Sequence, residues 1–351
     1  MDTKERIKGA FIGMIFGSGV NPRFSPMLTP EEARKRFGNK KFGEYFDYEI
    51  YGKLYQLYDQ YTMSKIVLDI LYEYGKITPE VFRDYLLDLH KKYDVFKGDV
   101  YGPSVQRAVT KILEKANIFT MGQQGVTCGA AMRGIPIALY FYNDKNKIIE
   151  ETINSCIISH STDVAVDAAL AVNLNLYYLI NGRDKFNAIE ETIKELRNIH
   201  RNYEKFSVYG KYVVSVEDKE TLDKILEYRR DLPRDIKIPR IHELIDMVYK
   251  DLKNKTIDEA MFYIPEKIGV GWYAWQTIPG AFANYIVSDS PEEVSLLSMR
   301  CGGDNQTVPE IACSFLGALE GSEIFSKEIL KKIEKTNSIN INELMNKIIR
   351  E

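Results

Sequence analysis

The sequence predicts an all-α fold, one compact domain of many helices. Apolar residues recur at helical spacing wherever a period can be read, convincing period-2 strands are scarce, and proline start signals stand directly before apolar stripes. The chain has 351 residues, 45% apolar and 28% charged, which is ample material for a buried core.

The elements follow in order. The run from Gly9 to Val20 is too short to span a membrane and has no A-x-A-like cleavage site after it, so it reads as a buried first helix rather than a signal peptide. After Tyr58, the residues Met63, Ile66, Val67, Ile70 and Leu71 keep the i, i+3, i+4, i+7, i+8 rhythm of a core-facing helix. Pro79 and Glu80 open another, with Phe82, Leu86 and Leu87 on one side. The stretch Val164–Ile180 is apolar nearly all round and belongs at the bundle's centre. Residues 181–255 are heavily charged and read as an insertion-like segment, with a small hairpin possible at VYGKYVVSV. Near the end, Val308, Ile311, Ala312, Phe315, Leu316 and Leu319 form a packing face around Pro309, so a helix begins directly after GGDNQT.

Charge narrows the partners. With 47 basic against 50 acidic residues the net charge is −3, and no global field attracts nucleic acid or an anionic membrane. The four cysteines, Cys128, Cys156, Cys301 and Cys313, form no CxxC and suggest neither a zinc cluster nor a disulfide framework. A reducing cytoplasm is the expected compartment.

Two stretches share a design although far apart: YDQYTM at 58–63 and GGDNQT at 302–307 each place Asp, Gln and Thr at a helix start. Taken singly, such residues read as caps that accept free backbone N–H groups. Taken together, Asp59, Gln60, Asp304, Gln306 and Thr307 offer carboxylate, amide and hydroxyl oxygens, the donors that Mg²⁺ and Ca²⁺ prefer. GQQGVTCGAAMRGIPIAL has small residues leading into an apolar helix, a setting for close helix packing or for the approach of a diphosphate. Tyr101 in YGPSVQRAV could stack on a base or serve as a core tyrosine. His160 stands at the entry to the most apolar helix, as a cap, a core group or a ligand-binding group. Serine and cysteine nucleophiles have no supporting motif, and GSG at 17–19 lacks the spacing of a dinucleotide fingerprint.

In their order these stretches resemble the ADP-ribosylglycohydrolase family, which includes the enzyme that reactivates dinitrogenase reductase. RIKGAFIGMIFGSGVNP is similar to RxxGaxxGxxxGDALG, YDQYTM to TDDTxM, YGPSVQRAV to GxGxxTxxAL, TCGAAMRGIP to NGAAMRxxP, SHSTDVAVDAALA to THxdpxAvxAA, and CGGDNQTVPEIACSFLGALEG to GGDTDTxAAIxGALxGA. The resemblance runs from Arg6 to about Ile324, with the segment at about 181–255 the least matched, and it implies one all-helical domain over 1–351. It further implies that Asp59 and Asp304 are the catalytic and metal-holding carboxylates, joined at the metal by Gln60, Gln306 and Thr307. Tyr101, Gly102, Cys128, Gly129, Arg133 and His160 would hold an ADP-ribose-like substrate, free or protein-linked.

The sequence departs from the family's pattern at the chemistry. Gln60 and Gln306 stand where the metal motifs have their second Asp, Tyr58 and Tyr61 replace threonines, Ser18 replaces the Asp of GDALG, Cys128 replaces the Asn before Gly, and the downstream Glu has no counterpart around Arg23. With two carboxylates left of four, a pair of dications would keep about two uncompensated charges. The expectation is therefore a divergent hydrolase of N- or O-ribosyl bonds with a single Mg²⁺, or Ca²⁺ in its place. The alternatives are an inactive family member that binds an ADP-ribose-like ligand or has a structural role, and a metal-independent ribosyl glycosidase whose bare Asp59 or Asp304 is the general base.

Overall fold

The computed structural model describes residues 1–24, 27–44, 54–97 and 101–349. Among them the named elements are helical: α1 (Thr3–Val20), α2 (Pro30–Phe37), α3 (Asp59–Tyr74), α4 (Pro79–Tyr93), α5 (Pro103–Leu113), α6 (Gly129–Tyr140), α7 (Lys145–Cys156), α8 (Asp163–Ile180), α9 (Lys185–Ile199), α10 (Lys219–Tyr228), α11 (Ile241–Leu252), α12 (Ile257–Tyr263), α13 (Ala274–Val287), α14 (Pro291–Cys301), α15 (Thr307–Glu320), α16 (Lys327–Asn337) and α17 (Ile341–Met345). The all-α expectation holds, and β structure among the described residues is limited to two isolated bridges.

Helix α1 is the first helix that the sequence predicts, buried throughout from Gly9 to Val20. Asp2 caps it, its carboxylate accepting the Glu5 N–H at 2.8 Å. Its partner is α15, which runs antiparallel to it at backbone contact: a Cβ built on Gly17 would lie 2.2 Å from the Pro309 carbonyl oxygen. Only glycine admits that approach, and it sets the last turn of α1 beside the first turn of α15.

Helix α8 is the hub. It packs against α6, α7, α9, α13 and α15, and every residue of it except Tyr177 is buried. By length and composition α8 could cross a membrane, but here its apolar surface faces other helices. In α3 the stripe Met63, Ile66, Val67, Ile70 and Leu71 is buried as its spacing predicts. In α4 the face runs through Phe82, Leu86 and Leu89, and Leu87 is only half-buried, because a three-residue step from Leu86 keeps better to the stripe than a one-residue step. Pro136 lies inside α6 and cannot donate to the Met132 carbonyl; the Ser64 hydroxyl of α3 donates to it instead, at 3.4 Å.

The charged segment is built into the same core. Ile189, Ile193 and Leu196 of α9 and Ile245 and Val248 of α11 join one apolar cluster with α8. The hairpin read into VYGKYVVSV does not form. A 3₁₀ turn, Gly210–Tyr212, occupies this stretch, preceded by another at Tyr203–Lys205 and followed by a single parallel bridge from Val214 to Thr162. Packing overrides strand propensity here: Phe119 stacks on Tyr209 and on Tyr212, at 5.9 and 4.9 Å between ring centroids, which holds the chain curled.

Candidate functional site

The starts of α3, α5, α6 and α15 converge on a cavity of about 990 Å³. Helix N-termini carry partial positive charge and free N–H groups, so the cavity favours anionic ligands and acidic side chains. The two halves predicted from YDQYTM and GGDNQT do meet: Asp59, Gln60, Asp304, Gln306 and Thr307 all line it.

Asp304 is placed by the glycine pair before it. Gly303 has φ +68°, and a Cβ there would lie 1.7 Å from the Val270 carbonyl oxygen, the same oxygen that accepts the Asp304 N–H at 2.8 Å. The turn then directs the carboxylate inward. Its Oδ1 accepts the Thr307 N–H at 3.1 Å, the capping role that the sequence suggests, while Oδ2 lies 3.5 Å from Cys128 Sγ. Asp59 plays no such part, since α3 starts without any side-chain cap. Its carboxylate instead accepts the backbone N–H of Gly102, and Arg23 Nη1 lies 3.5 Å from Oδ1. Thus Gly102, expected to bind substrate, holds Asp59 in place.

Burial raises both carboxylates. Asp59 is pushed up to about 6 by desolvation, a rise that Arg23 opposes and Asp304 reinforces, and Asp304 is raised by desolvation against its bonds to Thr307. A third carboxylate, which the motifs did not indicate, stands behind them. Glu310 in α15 is fully buried, neither of its oxygens has a hydrogen-bond partner among the described residues, and burial together with the charges of Asp304 and Asp59 raises it well above the ordinary value. The sequence signal for it is one acid in the otherwise apolar run VPEIACSFLGAL. Gln60 Oε1 on the cavity wall and Ser18 Oγ of α1 are likewise buried without a partner among the described residues. Orphaned oxygens around three desolvated carboxylates fit a hard cation, which takes oxygen donors and supplies the charge that the site lacks.

The expected substrate residues divide into two groups. Tyr101, Cys128 and Gly129 form cavity wall, Tyr101 packing into a core cluster as well; its phenol is pushed up to about 12 by burial and by the Asp59 charge. Cys128 stays a thiol, because burial and Asp304 push it well above its ordinary value, so it is no nucleophile. His160 also contributes to the cavity wall although it is almost wholly buried, its Nε2 3.0 Å from Thr127 Oγ1 and its Nδ1 2.7 Å from Ser159 Oγ. Burial and the nearby Arg133 charge keep it neutral. Arg133 corrects the expectation: it is fully buried outside the cavity, with Phe82 against its guanidinium and Nη2 donating to Ser155 O and Ser159 Oγ at 2.8 and 2.9 Å. Its reach is indirect, through Ser159 to His160. Arg133 stands one turn after Gly129 on nearly the same side of α6, about 6 Å further along the axis from the helix start that meets the cavity, which explains the placement.

The charged segment supplies wall that sequence reading did not find. Tyr228, Arg229 and Asp231 line the cavity with Trp272 and Tyr273. Arg229 donates to the Tyr273 hydroxyl at 3.0 and 2.7 Å and to Asp231 at 3.0 Å, and it lies over the Trp272 and Tyr273 rings. A backbone bridge from Thr127 to Tyr273 joins this wall to the start of α6.

Comparison with known proteins adds the following. The family model for ADP-ribosylglycohydrolase matches residues 1–351. The uncharacterized protein YegU of Escherichia coli (strain K12) is 21% identical over 287 residues, 81% of this chain and 77% of YegU. An uncharacterized protein of Archaeoglobus fulgidus is 21% identical over 227 residues, 64% of this chain and 58% of its own length. Among solved structures, an ADP-ribosylglycohydrolase-related protein complex aligns with a TM-score of 0.64 at 16% identity, over 99% of this chain and 98% of that one, a likeness of fold.

Proposed function

The chain belongs to the ADP-ribosylglycohydrolase family, and from that premise we propose that it is a hydrolase of an N- or O-ribosyl bond in an ADP-ribose-like substrate, working with one divalent cation. The observation that supports this most is the meeting of Asp59 and Asp304 in one cavity, backed by the unpartnered oxygens of Gln60 and Glu310. Asp59 and Asp304 neutralise one dication, whereas a second dication would leave about two charges uncompensated at close range.

Asp59, Asp304, Gln60, Gln306 and Thr307 would hold the ion, with Mg²⁺ the fitting choice for oxygen donors and Ca²⁺ next. When bound, it would supply positive charge that orients and acidifies water beside the sugar. The chain's own groups do the rest. Burial pushes Asp59 up to about 6 in the metal-free site, and a carboxylate oxygen that the ion leaves free would accept the proton of the attacking water. The carboxylates favour the positive charge that grows on the anomeric carbon as its bond to the leaving group stretches. The positive ends of α5 and α6 suit a diphosphate, and the planar faces of Trp272 and Arg229 suit a base or a leaving group.

Turnover decides it. Purified protein with Mg²⁺ is offered O-acetyl-ADP-ribose, ADP-ribosyl-arginine and ADP-ribosyl-serine, and released ADP-ribose is followed by chromatography. Release that stops with EDTA and in Asp304→Ala supports the proposal. Binding without release would make the chain a non-catalytic binder, and EDTA-resistant release would make it a metal-independent glycosidase.

A further inference from the structure

A second group of ligating side chains lies where the charged segment joins the core, and none of its members lines the cavity. Asp167 comes from the second turn of α8, His200 from the residue that ends α9, and His242 from the first turn of α11. One donor atom from each lies within 4.8 Å of the others. Asp167 Oδ2 accepts the His200 Nδ1–H at 2.6 Å, and the Tyr203 hydroxyl donates to Asp167 Oδ1 at 2.6 Å. The two imidazoles meet at 65° with ring centroids 5.6 Å apart.

What marks this group is what it leaves unbonded. His200 Nε2 and His242 Nδ1 are both buried and have no hydrogen-bond partner among the described residues, although His242 is only 6% exposed. Interior imidazole nitrogens are ordinarily bonded, so two orphans in one cluster call for a ligand. The His200 Nδ1 and Asp167 Oδ2 atoms that share a proton at 2.6 Å are both freed as donors when an ion displaces that proton, and His242 supplies the third.

We propose that Asp167, His200 and His242 bind a borderline transition-metal ion, zinc foremost, at a site separate from the cavity, and that this ion fastens the 181–255 segment to α8. Two nitrogens and a carboxylate suit zinc rather than the hard cations of the cavity. Tetrahedral zinc with bonds of about 2.0–2.2 Å sets its donors roughly 3.4 Å apart, so the side chains must close by up to about 1.4 Å, a movement that side-chain rotation supplies. Local charge permits it. Asp163 and Glu243 face the group along with Arg197 and Arg201, and Asp167 adds one negative charge. The site also lies at a seam that matters: one turn before Asp167, the Asp163 N–H donates to Val214 O at 2.8 Å and the Val214 N–H to Ser161 O at 2.9 Å, next to His160. A metal here would hold in register the segment that carries Tyr228, Arg229 and Asp231 to the cavity.

The test is zinc content. Full-length protein is stripped with EDTA, loaded with Zn²⁺, gel-filtered and assayed by mass spectrometry, alongside His242→Ala and Asp304→Ala. The expected result is one zinc per chain in wild type and in Asp304→Ala, none in His242→Ala, and a melting temperature that Zn²⁺ raises in wild type only. A wild type without zinc, a His242→Ala that keeps it, or an Asp304→Ala that loses it overturns the proposal; the last outcome would assign the ion to the cavity. Should His242→Ala fail to fold, Co²⁺-loaded wild type decides: the visible absorption of an imidazole-ligated ion supports the site, and the spectrum of aqueous Co²⁺ overturns it.

Discussion

Asp59→Asn should stabilise the protein at pH 8 while abolishing activity. Burial, reinforced by Asp304 and only partly opposed by Arg23, lifts the Asp59 carboxyl from 3.8 to about 6. A raised acid favours the folded state below its unfolded value, and that advantage is lost as pH rises through the folded one. At pH 8 the folded protein therefore carries an ionised Asp59 that the unfolded chain holds more cheaply, by ~3 kcal/mol at ~1.4 kcal/mol for each pH unit between the two values. At pH 5 the same difference is roughly half as large. Asn keeps the shape and removes the charge, and Arg23, whose side chain is 26% exposed, can turn to water. Denaturant unfolding of both proteins at the two pH values measures the effect. The Asn variant should gain ~3 kcal/mol at pH 8 and about half that at pH 5. Adding Mg²⁺ at a hundred times its dissociation constant should close most of the gap, since it would stabilise the wild type alone by about 2.7 kcal/mol. Equal differences at both pH values, or a less stable Asn variant at pH 8, would refute the desolvated-carboxylate reasoning.

Three other variants probe the site. Glu310→Gln removes a buried, unpartnered carboxylate whose raised pKa costs stability as pH rises, so its denaturant midpoint should exceed wild type at pH 8 by more than at pH 5, while its Mg²⁺ affinity falls in calorimetry. Gly303→Ala must seat a Cβ 1.7 Å from a carbonyl at φ +68°, and should cost about 3 kcal/mol or more by thermal unfolding, whereas Gly182→Ala, at φ +86° with open space around it, should cost only ~1 kcal/mol. Arg229→Ala removes the guanidinium over Trp272 and Tyr273 and should raise KM by ~1–2 kcal/mol in steady-state assays with little change in kcat.

How far the sequence reaches differs between fold and site. Helical stripes such as Met63–Leu71 are local patterns that burial respects, and the Gly302–Gly303 pair announces the turn before α15 in the same local way. The convergence of Asp59 with Asp304 was legible because the two motifs share residue types and a helix-start setting. Glu310 was not, since an acid inside an apolar run shows no spacing of its own. Arg133 misled because a motif fixes which residues recur, whereas its position one turn beyond the helix start sets it deeper in the core than Gly129. His200 and His242 lie far apart in sequence, on α9 and α11, so only the packing of those helices on α8 brings them to Asp167. Arg229 and Tyr228 likewise reach the cavity through tertiary contacts of a segment whose charged composition reads as insertion-like.

Calorimetric titration of Mg²⁺ into the zinc-loaded protein, with Asp59→Asn and Asp304→Ala beside it, bears most directly on the single-cation site. One ion per wild-type chain and none in either variant is the predicted result. Two ions per chain, none at millimolar Mg²⁺, or undiminished binding in Asp304→Ala would contradict it.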